Sequence, residues 1–253
     1  MKTNAVCKHA MQQTRRGFLR IAGTAAATAA LGSLPFTASA ATSAPGKLKI
    51  GIVGSGRVGG TLGRLWAKAG HQVMFSSLDL EQDKALAASV GANARAGTSR
   101  EAAAFGDVVL ISVPYGALPQ VGKDLADLIK GKTVIDTCNP FPARDGEIAN
   151  WAREKGAGLA SAELLRGAQV VRAFNAVGYA RLPEAAQRAQ RTGMPIAGDD
   201  AEAIAVASRL VRDIGYEPVL VGSLAMGRHL VPGTPLAGEQ TPEQIRKIAA
   251  TLK

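Results

Sequence analysis

From Lys47 onward the apolar and polar positions of the chain switch between two periods. Short apolar runs rich in β-branched residues predict buried strands over Lys47 to Val53, Gln72 to Ser76, Asp107 to Val113 and Thr133 to Asp136. Between them apolar positions recur three and four apart. Val58 to Ala69 places Leu62, Leu65, Trp66 and Ala69 on one helical face, with Gly70 as the stop. Leu80 to Val90 sets Leu86 and Val90 four apart ahead of Gly91. From Ala117, the positions Leu118, Val121, Leu125, Leu128 and Ile129 keep helical spacing until Gly131. The alternation then loosens. Gln169 to Phe174 and Met194 to Ala197 read as strands. Asp199 and Glu202 open a capped helix that carries Ile204, Ala207, Val211 and Ile214 and closes at Gly215. Tyr216 to Val221 is the last strand, and Thr241-Pro242-Glu243-Gln244 caps a terminal polar helix.

Strands separated by helices of this length need right-handed crossovers, which lay the strands parallel and cover both faces of the sheet. The expected fold is therefore a doubly wound α/β domain of Rossmann type with a mostly parallel sheet. No repeat or Gly/Ser-rich linker divides it, so residues 47–229 are expected to form a single domain, followed by a tail and helix over 230–253.

The first forty residues follow another logic. Lys2, Lys8, Arg15, Arg16 and Arg20 precede an uncharged stretch from Ile21 to Leu34, and Ala38-Ser39-Ala40 supplies small residues at a cleavage site. The apolar stretch is short for a bilayer span, which needs about 20 residues. The pair Arg15-Arg16 ahead of Phe18-Leu19 gives the leader the look of a twin-arginine (Tat) signal peptide. The expectation is export by the Tat machinery to the periplasm, cleavage near Ala40, a flexible lead-in over 41–46, and no stable membrane span.

Charge and cysteine content narrow the picture. The formal net charge is +10, but five of the basic residues and none of the acidic ones lie in the leader. The remainder is modestly basic, without a run of five cations and with few aromatics, so no nucleic-acid partner is expected. Cys7 leaves with the leader and Cys138 remains alone, so the mature chain is expected to hold no intramolecular disulfide. No metal site is predicted. A second copy of the chain is an admissible partner.

The chemistry is carried by one loop and one rim. Gly54-x-Gly56-x-x-Gly59 lies between the first strand and first helix, the context in which this spacing predicts a dinucleotide site. Gly54 allows the tight turn, Gly56 lets backbone approach a pyrophosphate, and Gly59 lets helix and strand pack closely. Ser55, Arg57 and Val58 complete the loop, and the helix N-terminus offers free N–H groups and a positive dipole end. The second strand ends in Ser76-Ser77. Two hydroxyl donors in place of a carboxylate favour NADP(H), with Arg57 and Lys84 available to neutralise a 2′-phosphate. Asp79 keeps NAD open.

Ligands of open α/β sheets bind outside the carboxyl ends of the strands. Those ends read Val113-Pro114-Tyr115, Cys138-Asn139-Pro140 and Phe174-Asn175, a polar and turn-rich rim. His71 is expected to help cap the first helix. Cys138, with no histidine nearby in sequence, is expected to be a small buried residue. His229 lies in a tail that could cover the groove and is a candidate to touch a substrate.

These stretches resemble the F420-dependent NADP reductase family and the related oxidoreductase domain of the STEAP metalloreductases. The likeness runs from about Lys47 to Pro232 and is most specific in "GIVGSGRVGGTLGRLWAKAGHQVMFSS", "VVLISVPYGAL", "VIDTCNPF", "VVRAFNAVG" and "IAGDDAEA". The resemblance implies an NADPH site at Gly54, Gly56, Gly59, Ser76 and Ser77, a nicotinamide near Val113, Pro114 and Asn139, and a hydride acceptor near Ala173, Phe174 and Asn175, with Pro140 beside it. It implies hydride transfer between NADP(H) and a small-molecule acceptor, a flavin or the deazaflavin F420, which needs positioning more than an acid or base, so no catalytic residue is assigned. Where the family often carries Ser-Arg after the second strand, this chain has Ser77-Leu78. Two alternatives stand beside this reading: a reductase of a small imine or hydroxyacid, for which the stretch after Val221 is short, and an NADP-binding sensor or module without turnover.

Overall fold

The computed structural model describes residues 46–252 apart from 189–190. The expected leader, its cleavage site and residues 41–45 of the lead-in lie outside the described residues.

Eight strands form one sheet in the order β3-β2-β1-β4-β5-β6-β7-β8. They are β1 (Lys49–Val53), β2 (Gln72–Ser76), β3 (Ala94–Ala96), β4 (Val108–Ile111), β5 (Thr133–Asp136), β6 (Gln169–Arg172), β7 (Gly193–Gly198) and β8 (Glu217–Gly222). All neighbours run parallel except β6 and β7, which pair antiparallel through Val171 with Gly198 and Arg172 with Ala197. The helices are α1 (Arg57–Lys68), α2 (Leu80–Val90), α3 (Ser99–Phe105), α4 (Leu118–Asp124), α5 (Ala126–Ile129), α6 (Pro142–Asp145), α7 (Glu147–Lys155), α8 (Ala157–Leu164), α9 (Ala201–Asp213) and α10 (Pro242–Ala249).

Strand alternation sorts the core into two layers. Ile50, Ile52, Val73, Phe75 and Leu110 face one side with Leu62 and Trp66 of α1 and Leu210 of α9. Val53, Val109, Ile111 and Val134 face the other, with Leu118, Leu125 and Leu165. The Trp66 indole N–H donates to the Leu210 carbonyl at 2.9 Å, fastening α1 to α9. A third cluster joins Ala197 and Val219 to Leu230, Leu236 and Ile245, so residues 230–249 pack on β7 and β8 as part of the domain.

Several local expectations change. β3, α3 and helices α6 to α8 are additional elements. The N-cap of α9 is Asp200, which accepts from the Ala203 N–H; Asp199 accepts from Leu224 N instead. His71 does more than close its own helix: Nδ1 accepts from Leu48 N at 3.1 Å and Nε2 meets Asp213 at 2.9 Å, which ties β1 to α9. The capping boxes Thr98 with Glu101 and Thr241 with Gln244 fix the starts of α3 and α10. Among the described residues no helix is long and apolar enough to cross a membrane.

Candidate coenzyme and acceptor site

The turn between β1 and α1 is shaped by glycine. Gly54 has φ +97°, and a Cβ there would lie 2.3 Å from the Ser112 carbonyl oxygen. At Gly59 a Cβ would stand 2.1 Å from the Gly54 carbonyl oxygen, so this position admits only glycine if α1 is to lie against β1. Gly56 is different: nothing lies within 4 Å of its would-be Cβ, and the missing side chain leaves open space over the helix N-terminus. Gly54 N and Ser55 N both donate to the Ser76 carbonyl at 2.9 Å, pinning the turn to the end of β2.

No side chain caps α1 and its first turn holds no acid, yet Arg57 occupies its first position. A cation there opposes the helix dipole by about 0.3–1 kcal/mol, a cost that an anion at the same terminus would offset. The guanidinium lies 5.7 Å from the Tyr179 ring centroid. Arg57 and Arg64 also line an 840 Å³ groove between α1 and α2 with Ser55, Gly56 and Gln82. An open Gly56, an uncapped helix end and flanking cations fit a dinucleotide's phosphates.

The end of β2 departs from the sequence argument. Ser76 is fully buried and its hydroxyl donates to the Ile52 carbonyl at 2.8 Å; what it gives the site is its carbonyl. Ser77 Oγ donates to Asp83 at 2.8 Å, and Ser55 Oγ donates to the same carboxylate. Lys84 pairs with Glu81 at 2.7 Å, and Leu78 is fully exposed. The donors expected to meet a 2′-phosphate are thus already engaged. The sequence carried one hint of Asp83: it lies three residues before Leu86 and four before Ala87, on the buried face of α2.

Along the rim, Val113 and Pro114 follow β4, with Val113 packed beside Gly54. Tyr115 does not reach the groove. It is fully buried in the second core layer, its hydroxyl 3.2 Å from Ser161 Oγ, and burial pushes its ionisation far up. Ala173 and Phe174 are likewise core residues. Phe174 meets Trp66 edge to face at 5.8 Å and holds φ +65°, a left-handed backbone that costs a bulky residue about 1–3 kcal/mol. That turn presents Asn175, which is 4% exposed and whose Oδ1 and Nδ2 have no hydrogen-bond partner. An orphaned buried amide is a donor and acceptor pair awaiting a ligand or water.

Beneath it runs a buried network that sequence reading missed, because its members lie 36 residues apart. Arg172 and Asp136 are both fully buried and pair at 2.5 Å. Arg172 also donates to the Cys138 carbonyl and to Asn139 Oδ1, at 3.0 and 3.2 Å, and Leu230 O lies 3.5 Å from Nη2. Asn139 in turn donates to the Asn175 carbonyl at 3.0 Å. Asn139 and Asn175, at the ends of neighbouring strands, are thereby joined. Cys138 is buried; desolvation, then Asp136, pushes its thiol well above the ordinary range, which suits a packing residue. Pro140 and His229 share the wall of a 260 Å³ pocket with Arg153, Arg228 and Thr234. Among the described residues no cluster of His, Cys, Asp or Glu could hold a metal ion.

Glycine turn, helix terminus and rim together have the arrangement of a Rossmann-type α/β domain. Residues 49–140 match the family described as NADP oxidoreductase, coenzyme F420-dependent. The F420-dependent NADP reductase of Methanothermobacter thermautotrophicus is 29% identical over 205 residues, 75% of this chain and 87% of that protein. Metalloreductase STEAP3 of Rattus norvegicus is 29% identical over 185 residues, 72% of this chain but 35% of its own length, so the chain spans about a third of that relative. A hypothetical protein from Sinorhizobium meliloti shares the fold with a TM-score of 0.65 at 23% identity, covering 78% of this chain and 96% of that one.

Proposed function

We propose that the chain is an NADP(H)-dependent oxidoreductase that passes a hydride between the nicotinamide and a flavin or deazaflavin acceptor. The observation that carries the reading is the glycine turn at the uncapped N-terminus of α1, with open space over Gly56 and Arg57 at the first helical position. The similar proteins named as NADP reductase and metalloreductase support the reaction type.

The coenzyme supplies the hydride chemistry when bound. This chain's residues orient it. The α1 terminus and Arg57 hold the phosphates, Val113 and Pro114 follow β4 beside the glycine turn, and the Asn175 amide offers a donor and an acceptor to the carboxamide or ureide edge of a ring. The cations around Pro140 and His229 suit an acceptor with an anionic group. Transfer between stacked rings requires no proton relay, in keeping with a rim whose buried Cys138 thiol is pushed well above its ordinary range by desolvation.

The leader adds a proposal about timing: a coenzyme scarce outside the cytoplasm would be loaded into a folded groove before twin-arginine export to the periplasm. The test is to purify the protein from the periplasmic fraction, denature it, and identify released ligand by mass spectrometry. NADPH oxidation by an added flavin or F420 is then followed by absorbance. Released or rebound NADP(H) with turnover supports the reading. Tight NADPH binding without oxidation by any acceptor would instead favour a non-catalytic module.

A further inference from the structure

Two hydroxyls of the coenzyme cradle, Ser55 in the glycine turn and Ser77 after β2, converge on one carboxylate that the proposed reaction does not use. Asp83 is fully buried on α2. One of its oxygens accepts from Ser55 Oγ and the other from Ser77 Oγ, the latter at 2.8 Å. Its sequence neighbour Lys84 is turned to Glu81, and Asp83 forms no ion pair among the described residues.

A serine hydroxyl has one proton and two lone pairs. At Ser77 the proton is directed to Asp83, with the Asp79 carbonyl competing for it at 3.2 Å, and one lone pair receives the Asp79 N–H at 3.1 Å. What Ser77 can still offer is a single lone pair. A ribose 2′-hydroxyl can donate to that lone pair. A 2′-phosphate only accepts, and finds no proton there. Next to Ser77, Leu78 stands exposed and brings no charge, and Arg57 lies over Tyr179.

We infer that Asp83 is a specificity-determining residue: by accepting both serine protons it fixes the ribose site as an acceptor and narrows the margin by which NADPH is held over NADH. The inference rests on the coenzyme reading above and deepens it.

Asp83→Asn keeps the side-chain size and exchanges one acceptor for a donor, which releases a serine proton toward the ligand. Dissociation constants for NADH and NADPH are measured on the whole protein and on each variant, with thermal melts as a check of folding. The expected result is a rise of about tenfold in the preference for NADPH in D83N, the scale of one released hydrogen bond to a charged group. Ser77→Ala in the unaltered background gives an independent reading. It is expected to weaken NADH at least as much as NADPH, because Ser77 serves a 2′-hydroxyl. An unchanged preference in a folded D83N, or a selective loss of NADPH binding in S77A, overturns the inference. Should D83N fail to fold, S77A decides alone. An unaltered protein that binds neither nucleotide overturns the coenzyme reading and this inference with it.

Discussion

Asp83 and Asp136 are both fully buried carboxylates, one on each wing of the sheet, and they are held in opposite ways. Asp136 meets a fully buried guanidinium at 2.5 Å and accepts from the Cys138 N–H at 2.7 Å. Asp83 meets only hydroxyls. Charge answered by charge, with both carboxylate oxygens of Asp136 paired and only Arg172 Nε left over, marks a brace whose removal is felt in stability. Charge answered by two serines, one of which lines the groove beside α1, marks a setting of polarity, felt under the proposed function in what the groove accepts. Burial alone does not separate the two; the partners do.

The sharpest way to break this contrast is Arg172→Met. Leaving Asp136 buried and unanswered is expected to cost about 3–5 kcal/mol in urea unfolding, and Asp136→Asn in the same chain should recover much of it. A loss below about 1 kcal/mol would mean that the pair does not brace β5 against β6.

Asn175→Ala probes the boundary between the two kinds of group. Its amide has no partner to lose, so stability should stay within about 1 kcal/mol of the unaltered protein. Hydride transfer to the acceptor should fall about tenfold, the worth of roughly one hydrogen bond held in the transition state. Equal loss of stability and activity would make Asn175 another brace.

The smallest effect is expected at the surface cluster of Glu239 with Arg181 and Arg188. Partial burial raises the Glu239 carboxyl, but the two guanidiniums prevail and hold it below its usual range. Its stabilisation is therefore full above the ordinary carboxyl pKa and is lost as pH falls through the depressed folded value. Glu239→Gln should cost less than about 1 kcal/mol at neutral pH and nothing in acid, measured by paired melts.

What the sequence disclosed follows from how local each signal is. The strands β1, β2, β4 and β5 and the Gly54-x-Gly56-x-x-Gly59 turn were legible because period and spacing act within a dozen residues. β3 was not: three residues with Arg95 outward carry no alternation to read. Helix α8 is almost uniformly small and apolar, so it has no polar face to betray a helical period. Tyr115 was placed on the rim by its position after β4, but the short turn there points its ring into the core. The serines were read by type as donors; only three dimensions show where their protons go. Arg172 with Asp136 is a pairing across strands, and no local pattern announces such a partner.

The reach of Arg172 to Leu230 also sets an order of events during synthesis. The two residues are 58 apart in sequence. A chain leaving the ribosome therefore carries the guanidinium of β6 with its set of partners incomplete while the intervening residues are made. The set of acceptors around Arg172 is finished only when the segment at Leu230 arrives, so the buried brace between β5 and β6 is completed at a chain length set by that segment rather than by the glycine turn that emerged long before.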